Sequence, residues 1–182
     1  MKIQFFGGKT FGLFAKNARV VLDAPAKFPE KKLDIATTST EEDLSALDAK
    51  KVLSLPGEYE ISEILVKGFQ PKQGRVTFKI TMEDIAVAHF PAITLVPEAK
   101  FIDRLGENVD VVLLPLGEDL TPKTAKKLIE EIDPRVVIFG GDPQFFPEIK
   151  EMTGAQILEE NSVDISRSKL PEEKTEYWIL ST

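Results

Sequence analysis

The first half of the chain alternates short apolar runs with turn-forming residues, a pattern typical of β-strands joined by tight connections. Glycine, proline and paired acidic residues separate the runs. The pattern predicts strands at residues 3–6, 11–14, 19–23, 33–37, 52–55, 59–68, 75–82 and 85–89. Thr40 and the three acidic residues after it predict a helix of about eight residues, because threonine caps helices and acids favour the positive end of the helix dipole.

The second half has a different pattern. Residues 109–114 form a continuous apolar run, as expected for a strand buried on both faces of a parallel sheet. Thr121 and Pro122 predict a helix start, and apolar residues at 125, 128, 129 and 132 give that helix one apolar face. With the next buried strand at 135–139, this unit should be a right-handed parallel crossover. A helix at 146–152 and strands at 155–158, 163–165 and 177–180 complete an α/β sandwich with its sheets inside.

Composition restricts the possible functions. The 182 residues are 42% hydrophobic, which is sufficient for a single domain spanning 1–182. The net charge of −7 argues against a broad nucleic-acid-binding face. The absence of cysteine and the presence of one histidine, His89, exclude disulfides, Cys-ligated metals and sites that need two histidines. Without a membrane-length apolar run or a signal-peptide pattern, we expect a cytoplasmic protein that binds neither nucleic acid nor membrane.

Two glycine-rich segments and the single histidine are candidates for chemistry. Residues 7–10, Gly-Gly-Lys-Thr, look like the end of a phosphate-binding loop, but Ile3 stands where that loop needs its first glycine, so a tight turn is expected. Residues 140–143 follow a buried parallel strand, where a turn and the edge of a binding site are equally consistent with the pattern. His89 ends an alternating strand and is expected to be packed in the core.

Acidic residues near strand ends could form a site with oxygen ligands. The candidates are Asp34, Glu41, Asp43, Glu58 and Asp142. Such a site prefers magnesium, manganese or calcium to zinc, and two carboxylates could also act as general acid and base without a metal. Because 30 residues are acidic, each one is more simply explained as a solvated surface charge. A site of this kind requires at least three of these carboxylates to converge.

The order of the segments resembles the metallo-β-lactamase fold, and most closely the predicted zinc-dependent hydrolases related to L-ascorbate-6-phosphate lactonases. The similar segments are the first hairpin at 1–11, the strand at 20–25, the sequence Pro-Gly-Glu-Tyr-Glu-Ile at 56–61, the strand–helix–strand unit at 109–138 and the tail at 170–173. The resemblance implies a compact metallo-β-lactamase-like αββα sandwich, and in typical members a metal-dependent hydrolase.

The same resemblance implies that the metal-binding motif is degenerate. The family's His-x-His-x-Asp-His motif falls on residues 39–44. Ser39, Glu41 and Leu44 replace its three histidines, while Asp43 keeps its aspartate.

The other metal-ligand positions are altered as well. The family's first hairpin carries Gly-His where this chain has Gly7 and Gly8. Its His-x-Gly-Asp segment aligns with 89–92, so Ala92 replaces the bridging aspartate and His89 matches a residue that is not normally a ligand. The last ligand histidine falls near Gly141 and Asp142.

These replacements predict that the chain has no zinc and no catalytic residues of the family type. We expect Phe11, Phe90 and Phe139 to fill the former metal pocket. The expected function is non-catalytic binding or scaffolding, through an unknown protein partner or self-association. Two alternatives are a hydrolase, with magnesium or manganese at rebuilt carboxylates or with metal-independent acid/base chemistry, and a subunit of a larger assembly whose basic partner meets the acidic surface.

Overall fold

A computed structural model describes residues 1–30, 32–39, 44–106 and 108–182. The strands formed in these ranges are β1 (Lys2–Phe5), β2 (Phe11–Phe14), β3 (Arg19–Leu22), β4 (Leu33–Thr37), β5 (Ala49–Leu53), β6 (Gly57–Ile61), β7 (Ile64–Phe69), β8 (Thr77–Met82), β9 (Ile85–His89), β10 (Val111–Leu116), β11 (Val136–Gly141), β12 (Gln156–Ile157), β13 (Ser162–Asp164) and β14 (Glu176–Ile179). The α-helices are α1 (Ala99–Leu105), α2 (Pro122–Ile132) and α3 (Phe146–Thr153). Short 3-10 helices occupy Pro143–Phe145 and Arg167–Lys169.

The strands form two sheets that pack face to face. One has the order β13-β1-β2-β3-β4-β5, and the other has the order β12-β14-β11-β10-β9-β8-β7-β6. Their inner faces share one apolar core, which includes Phe5, Leu13, Phe78, Leu113 and Ile138. The predicted α/β sandwich with internal sheets is confirmed.

The helices cover the outer face of the larger sheet. Phe101 of α1, Leu128 of α2 and Ile149 of α3 pack with Val112 and Phe139 of the central strands. Successive residues of β10 therefore enter two different cores, which explains the continuous apolar run. In the described part of the chain, residues of strands and connections, among them Phe14, Phe28 and Leu47, cover the outer face of the smaller sheet. In the described ranges, strands and connections cover this face and no α-helix does. These ranges therefore lack the second helical layer of the expected αββα order.

The strand–helix–strand unit forms where the sequence predicts it. The hydroxyl of Thr121 accepts a hydrogen bond from the Thr124 amide at 3.4 Å, and Pro122 is the first residue of α2. β10 and β11 pair in parallel over their full length. The parallel neighbours β9 and β14 extend this arrangement, so the carboxyl ends of four strands lie at one end of the sandwich.

Several predicted elements differ from the structure. The expected single strand at 59–68 is a hairpin, because Ser62 and Glu63 adopt left-handed φ values of 52° and 63°. Residues 44–47 form a turn, so the predicted helix does not extend into them, and its start at 40–43 lies outside the described residues. Helix α1 was not predicted, since its buried apolar residues are only Phe101 and Leu105. No helix of the described ranges is long and apolar enough to cross a membrane.

Candidate functional site

Asp23 connects the turns at one end of the sandwich. It follows β3, and its carbonyl oxygen accepts a hydrogen bond from the Thr10 hydroxyl at 2.8 Å. Its amide donates to the Thr37 hydroxyl at 3.1 Å. The amide of Ser39 donates to Asp23 Oδ1 at 2.9 Å, and the Ser39 hydroxyl donates to the same atom. These bonds hold Ser39, a predicted metal-ligand position, against a carboxylate.

Arg75 places a cation beside Ser39. Its amide donates to the carbonyl of Ala92 at 3.0 Å, which fixes the backbone at the position predicted for the bridging ligand. The preceding Gly74 has φ 119°, and a Cβ there would lie 2.4 Å from the same carbonyl, so this approach requires glycine. Arg75 Nη1 donates to the Ser39 hydroxyl at 3.3 Å.

Lys9 and Asp119 join two loops across the same end of the sandwich. Lys9 Nζ lies 2.7 Å from Asp119 Oδ2, although the residues are 110 positions apart in sequence. The hydrogen bond and charge of Lys9, with a further contribution from Arg75, hold the pKa of Asp119 below its usual value. A Cβ on Gly8 or Gly117 would meet no atom within 4 Å, so both loops border open space.

His89 lies behind these loops and is fully buried. Its ring is edge-on to Phe11, with the centroids 5.7 Å apart. Neither ring nitrogen makes a hydrogen bond of normal geometry with a described residue. Burial lowers the pKa of His89 to about 4, although the Asp23 carboxylate and the Lys9 backbone act to raise it. The imidazole is therefore neutral at pH 7.

The structure brings some predicted site positions to this end of the sandwich. Gly8, Ser39, His89 and Ala92 are within the loops and strand ends just described. Leu44 is buried and apolar. Glu41 and Asp43 lie outside the described residues.

Gly141 and Asp142 have structural partners. Gly141 has φ 99°, and a Cβ there would lie 2.1 Å from the Leu116 carbonyl oxygen, so the close approach of β10 and β11 requires glycine. Asp142 Oδ1 accepts a hydrogen bond from the Gln144 amide at 3.0 Å and caps the 3-10 helix. This segment is a turn at the end of a parallel strand.

The described members of the carboxylate alternative do not converge. Asp34 accepts hydrogen bonds from Lys50 Nζ at 2.6 Å and the Arg19 amide at 2.9 Å. Burial alone would raise the pKa of Asp34, but Lys50 and the Arg19 amide outweigh it and keep the pKa below its usual value. Glu58 pairs with Lys67 at 3.0 Å. Among residues 1–30, 32–39, 44–106 and 108–182, no three acidic or histidine side chains group as metal ligands.

The donor set at this end does not fit a zinc centre of the family type. Such centres need several imidazole or thiolate ligands, and the chain has one histidine and no cysteine. His89 is buried against Phe11, and Ala92 has no donor side chain. The nearby Lys9 and Arg75 are cations, which repel a metal ion instead of binding it.

The expectation that phenylalanines fill the former metal pocket stays a prediction. Phe11 packs on His89 in the core between the sheets. Phe90 and Phe139 instead belong to the core beneath the helices, because their side chains leave the opposite face of the sheet.

Sequence reasoning missed the charged residues of the site. Asp23 was visible as part of the segment at 20–25 that carries the family resemblance. Lys9 belonged to a segment interpreted only as a turn. Arg75 and Asp119 carry no motif, and only the folded chain brings them near Lys9 and Ser39.

Comparisons with known proteins identify the family and the fold. A family model described as "Beta-lactamase superfamily domain" matches residues 2–139. A provisionally named Zn-dependent hydrolase of the metallo-beta-lactamase superfamily from Thermotoga maritima is 21% identical, with complete coverage of both chains and a TM-score of 0.86. A provisionally named metal-dependent hydrolase from Parabacteroides distasonis is 17% identical over 82% of this chain and 86% of its own, with a TM-score of 0.66. A metallo hydrolase from Ignicoccus hospitalis is 15% identical over 91% and 99%, with a TM-score of 0.61.

A search of curated proteins finds no match. The structural similarities, all at low identity, support the metallo-β-lactamase fold, while the lactonase-related branch and the degenerate motif stay predictions. Because the family model spans more than half of the chain, this protein belongs to the beta-lactamase superfamily.

Proposed function

We propose that this chain is a metal-independent member of the superfamily that binds a ligand or a protein partner and does not hydrolyse it. The observation that carries the proposal is the hydrogen bond from the Arg75 guanidinium to Ser39, at the position aligned with the first metal ligand. A side-chain cation there takes the electrostatic role of a metal ion, but it cannot generate a metal-bound hydroxide.

Without a metal ion, a general base would have to activate the attacking water, and none of the described imidazole or carboxylate groups at this end is suited to that role. A catalytic zinc lowers the pKa of its bound water to about 7. His89, the one imidazole of the chain, is fully buried and has a pKa of about 4, so it is a weak base without access to solvent. The Asp23 carboxylate accepts two hydrogen bonds from Ser39, and Lys9 lowers the pKa of Asp119, which makes that carboxylate a poor general base. Binding is the function that this arrangement supports best.

The proposed binding partner is a protein with a basic surface; self-association is the second possibility, which the like charge of two copies opposes. The net charge of −7 favours association with a basic surface, because complementary charges accelerate encounter and improve specificity. A pull-down from native lysate with the immobilised chain, washed at low and at high salt, tests this expectation. An assembly that dissociates in salt agrees with it, and one that is insensitive to salt contradicts a charge-based interface.

Elemental analysis of the purified, untagged protein tests the absence of a metal. We expect less than stoichiometric zinc, manganese or magnesium, and a melting temperature unchanged by EDTA or by each added ion. A stoichiometric metal, or a rise of several degrees with one ion, would contradict the proposal.

The same melting experiments test the alternative in which carboxylates bind manganese or magnesium. This alternative is favoured by the structural neighbours, which are named as metal-dependent hydrolases. If manganese or magnesium stabilises the protein through residues 41–43, Glu41→Gln with Asp43→Asn should abolish that effect. Glu60→Gln, at an exposed carboxylate outside the candidate set, is the matched control and should leave it intact. Hydrolase assays with the stabilising ion would then follow.

A further inference from the structure

We propose that this end of the sandwich binds an anionic group, a carboxylate or a phosphate, between Lys9 and Arg75. In the free protein, the Asp119 carboxylate occupies the position that this anion would take. The inference rests on the proposed metal-independent binding function and assigns its ligand class.

Two cations act on one carboxylate at this point. Lys9 Nζ contacts Asp119 Oδ2 at 2.7 Å, and the charge of Arg75 acts on the same group. Arg75 also reaches Ser39, which adds a hydroxyl to the set. Ammonium, guanidinium and hydroxyl groups are those that proteins use to bind carboxylate and phosphate oxygens.

The cation of Arg75 is positioned before any ligand arrives. Its backbone is fixed to Ala92, and Gly74 permits the close approach of the two segments. Among the described residues, Arg75 makes one side-chain hydrogen bond, from one guanidinium nitrogen to Ser39, whereas the group carries five N–H donors in a planar fork. Such preorganisation reduces the ordering that binding requires.

The Asp119 carboxylate can leave this place easily. Its side chain is 52% exposed, and exposed ion pairs contribute little to stability. Gly117, two residues earlier, and Gly8, next to Lys9, border open space. A ligand anion can therefore enter while Asp119 turns towards solvent, so Asp119 acts as an internal competitor.

Because Asp119 competes with the ligand, removing its charge should increase the affinity of the protein for an anion. Isothermal titration with inorganic phosphate and with acetate, at constant ionic strength, measures the affinity of each anion and separates the two ligand chemistries. Asp119→Asn should raise the affinity for at least one of the two anions about two- to fivefold. This is the change in affinity that corresponds to the free energy of one exposed ion pair. Arg75→Gln and Lys9→Gln should each lower it about tenfold.

Glu118→Gln is the matched control, because it makes the same charge change at the neighbouring exposed position. It should alter the affinity less than twofold. If Asp119→Asn and Glu118→Gln behave alike, or if Arg75→Gln binds anions as the wild type does, the inference is wrong. Urea unfolding checks that each variant is folded, and Asp119→Ser is a second variant if Asp119→Asn is not.

The outcomes separate this inference from the proposed function. Stoichiometric metal in the purified protein would overturn the metal-independent function, whatever the anion titrations show. A metal-free protein whose variants do not differ in anion affinity would overturn only the anion site.

Discussion

Replacing His89 by leucine should remove an acid sensitivity that the buried imidazole gives to this protein. The ring is fully buried in β9, packs on Phe11 and lacks a normal hydrogen bond to any described residue. Leucine has a similar volume and no group to protonate, so the substitution removes the titration with little loss of packing. The chain has no other histidine, which makes the effect specific to one residue.

The magnitude follows from the pKa of His89, which burial lowers from 6.5 to about 4. The unfolded chain binds this proton at a higher pH than the folded chain, so stability falls as the pH drops from about 6.5 to about 4 and not further below. The difference of about 2.5 pKa units corresponds to about 3 kcal/mol in full, of which about 1 kcal/mol is lost by pH 5.5.

Urea unfolding of the wild type and of His89→Leu at pH 7.5, 5.5 and 4.5 measures this loss. The carboxylates titrate in both proteins, so their contribution cancels in the difference in stability. The stability of His89→Leu relative to wild type should increase by about 2 to 3 kcal/mol between pH 7.5 and 4.5. The single imidazole also gives one unambiguous pair of ring C–H signals by NMR, which should keep their neutral shifts down to about pH 5. A midpoint near 6.5 in the folded protein, or parallel stability profiles, would refute the reasoning.

Two further predictions concern stability, each measured by urea unfolding. Asp110→Ala should lower the free energy of unfolding by about 2 to 3 kcal/mol, because the buried carboxylate accepts from Arg167 at 2.6 Å and from a β9 amide at 2.9 Å. A loss below about 0.5 kcal/mol would contradict this role. Gly141→Ala should lower it by more than about 3 kcal/mol, because the added Cβ meets the Leu116 carbonyl at 2.1 Å, whereas Gly8→Ala, with a left-handed φ and open space, should lose about 1 kcal/mol. Equal losses in the two glycine variants would show that the close approach is not what requires Gly141.

The elements that the sequence predicted well are those whose signal is local. The apolar stripe and the Thr121–Pro122 start specify α2, and the Glu83–Asp84 turn specifies the β8–β9 hairpin through left-handed φ values of 50° and 59°. The Ser62–Glu63 turn has the same conformation, but those residue types give a weak turn signal, so the sequence predicts one strand where the structure has a hairpin. Helix α1 is too short for its periodicity to be visible.

The site could be located only in part from the sequence. The resemblance placed Ser39, His89 and Ala92 at the position of the metal centre, and the structure brings these residues to one end of the sandwich. The pairing of Lys9 with Asp119 spans 110 residues and depends on how the two sheets pack. Sequence patterns report periodicity over a few turns, so they contain no information on such a contact.

The predicted replacement of the metal ligands and the cations near Ser39 both argue against a metal ion at this end of the sandwich. A structural zinc with a full ligand set contributes roughly 10–16 kcal/mol of apparent binding energy. A divalent ion about 4 Å from a guanidinium would be repelled by about 8 kcal/mol at an effective dielectric constant of about 20. If Ser39 and Ala92 stand in place of ligands, as the resemblance implies, little binding energy is left to oppose a repulsion of that size from Arg75. Restoring the predicted bridging aspartate with Ala92→Asp while Arg75 stays in place would therefore favour an ion pair with its guanidinium over a metal centre.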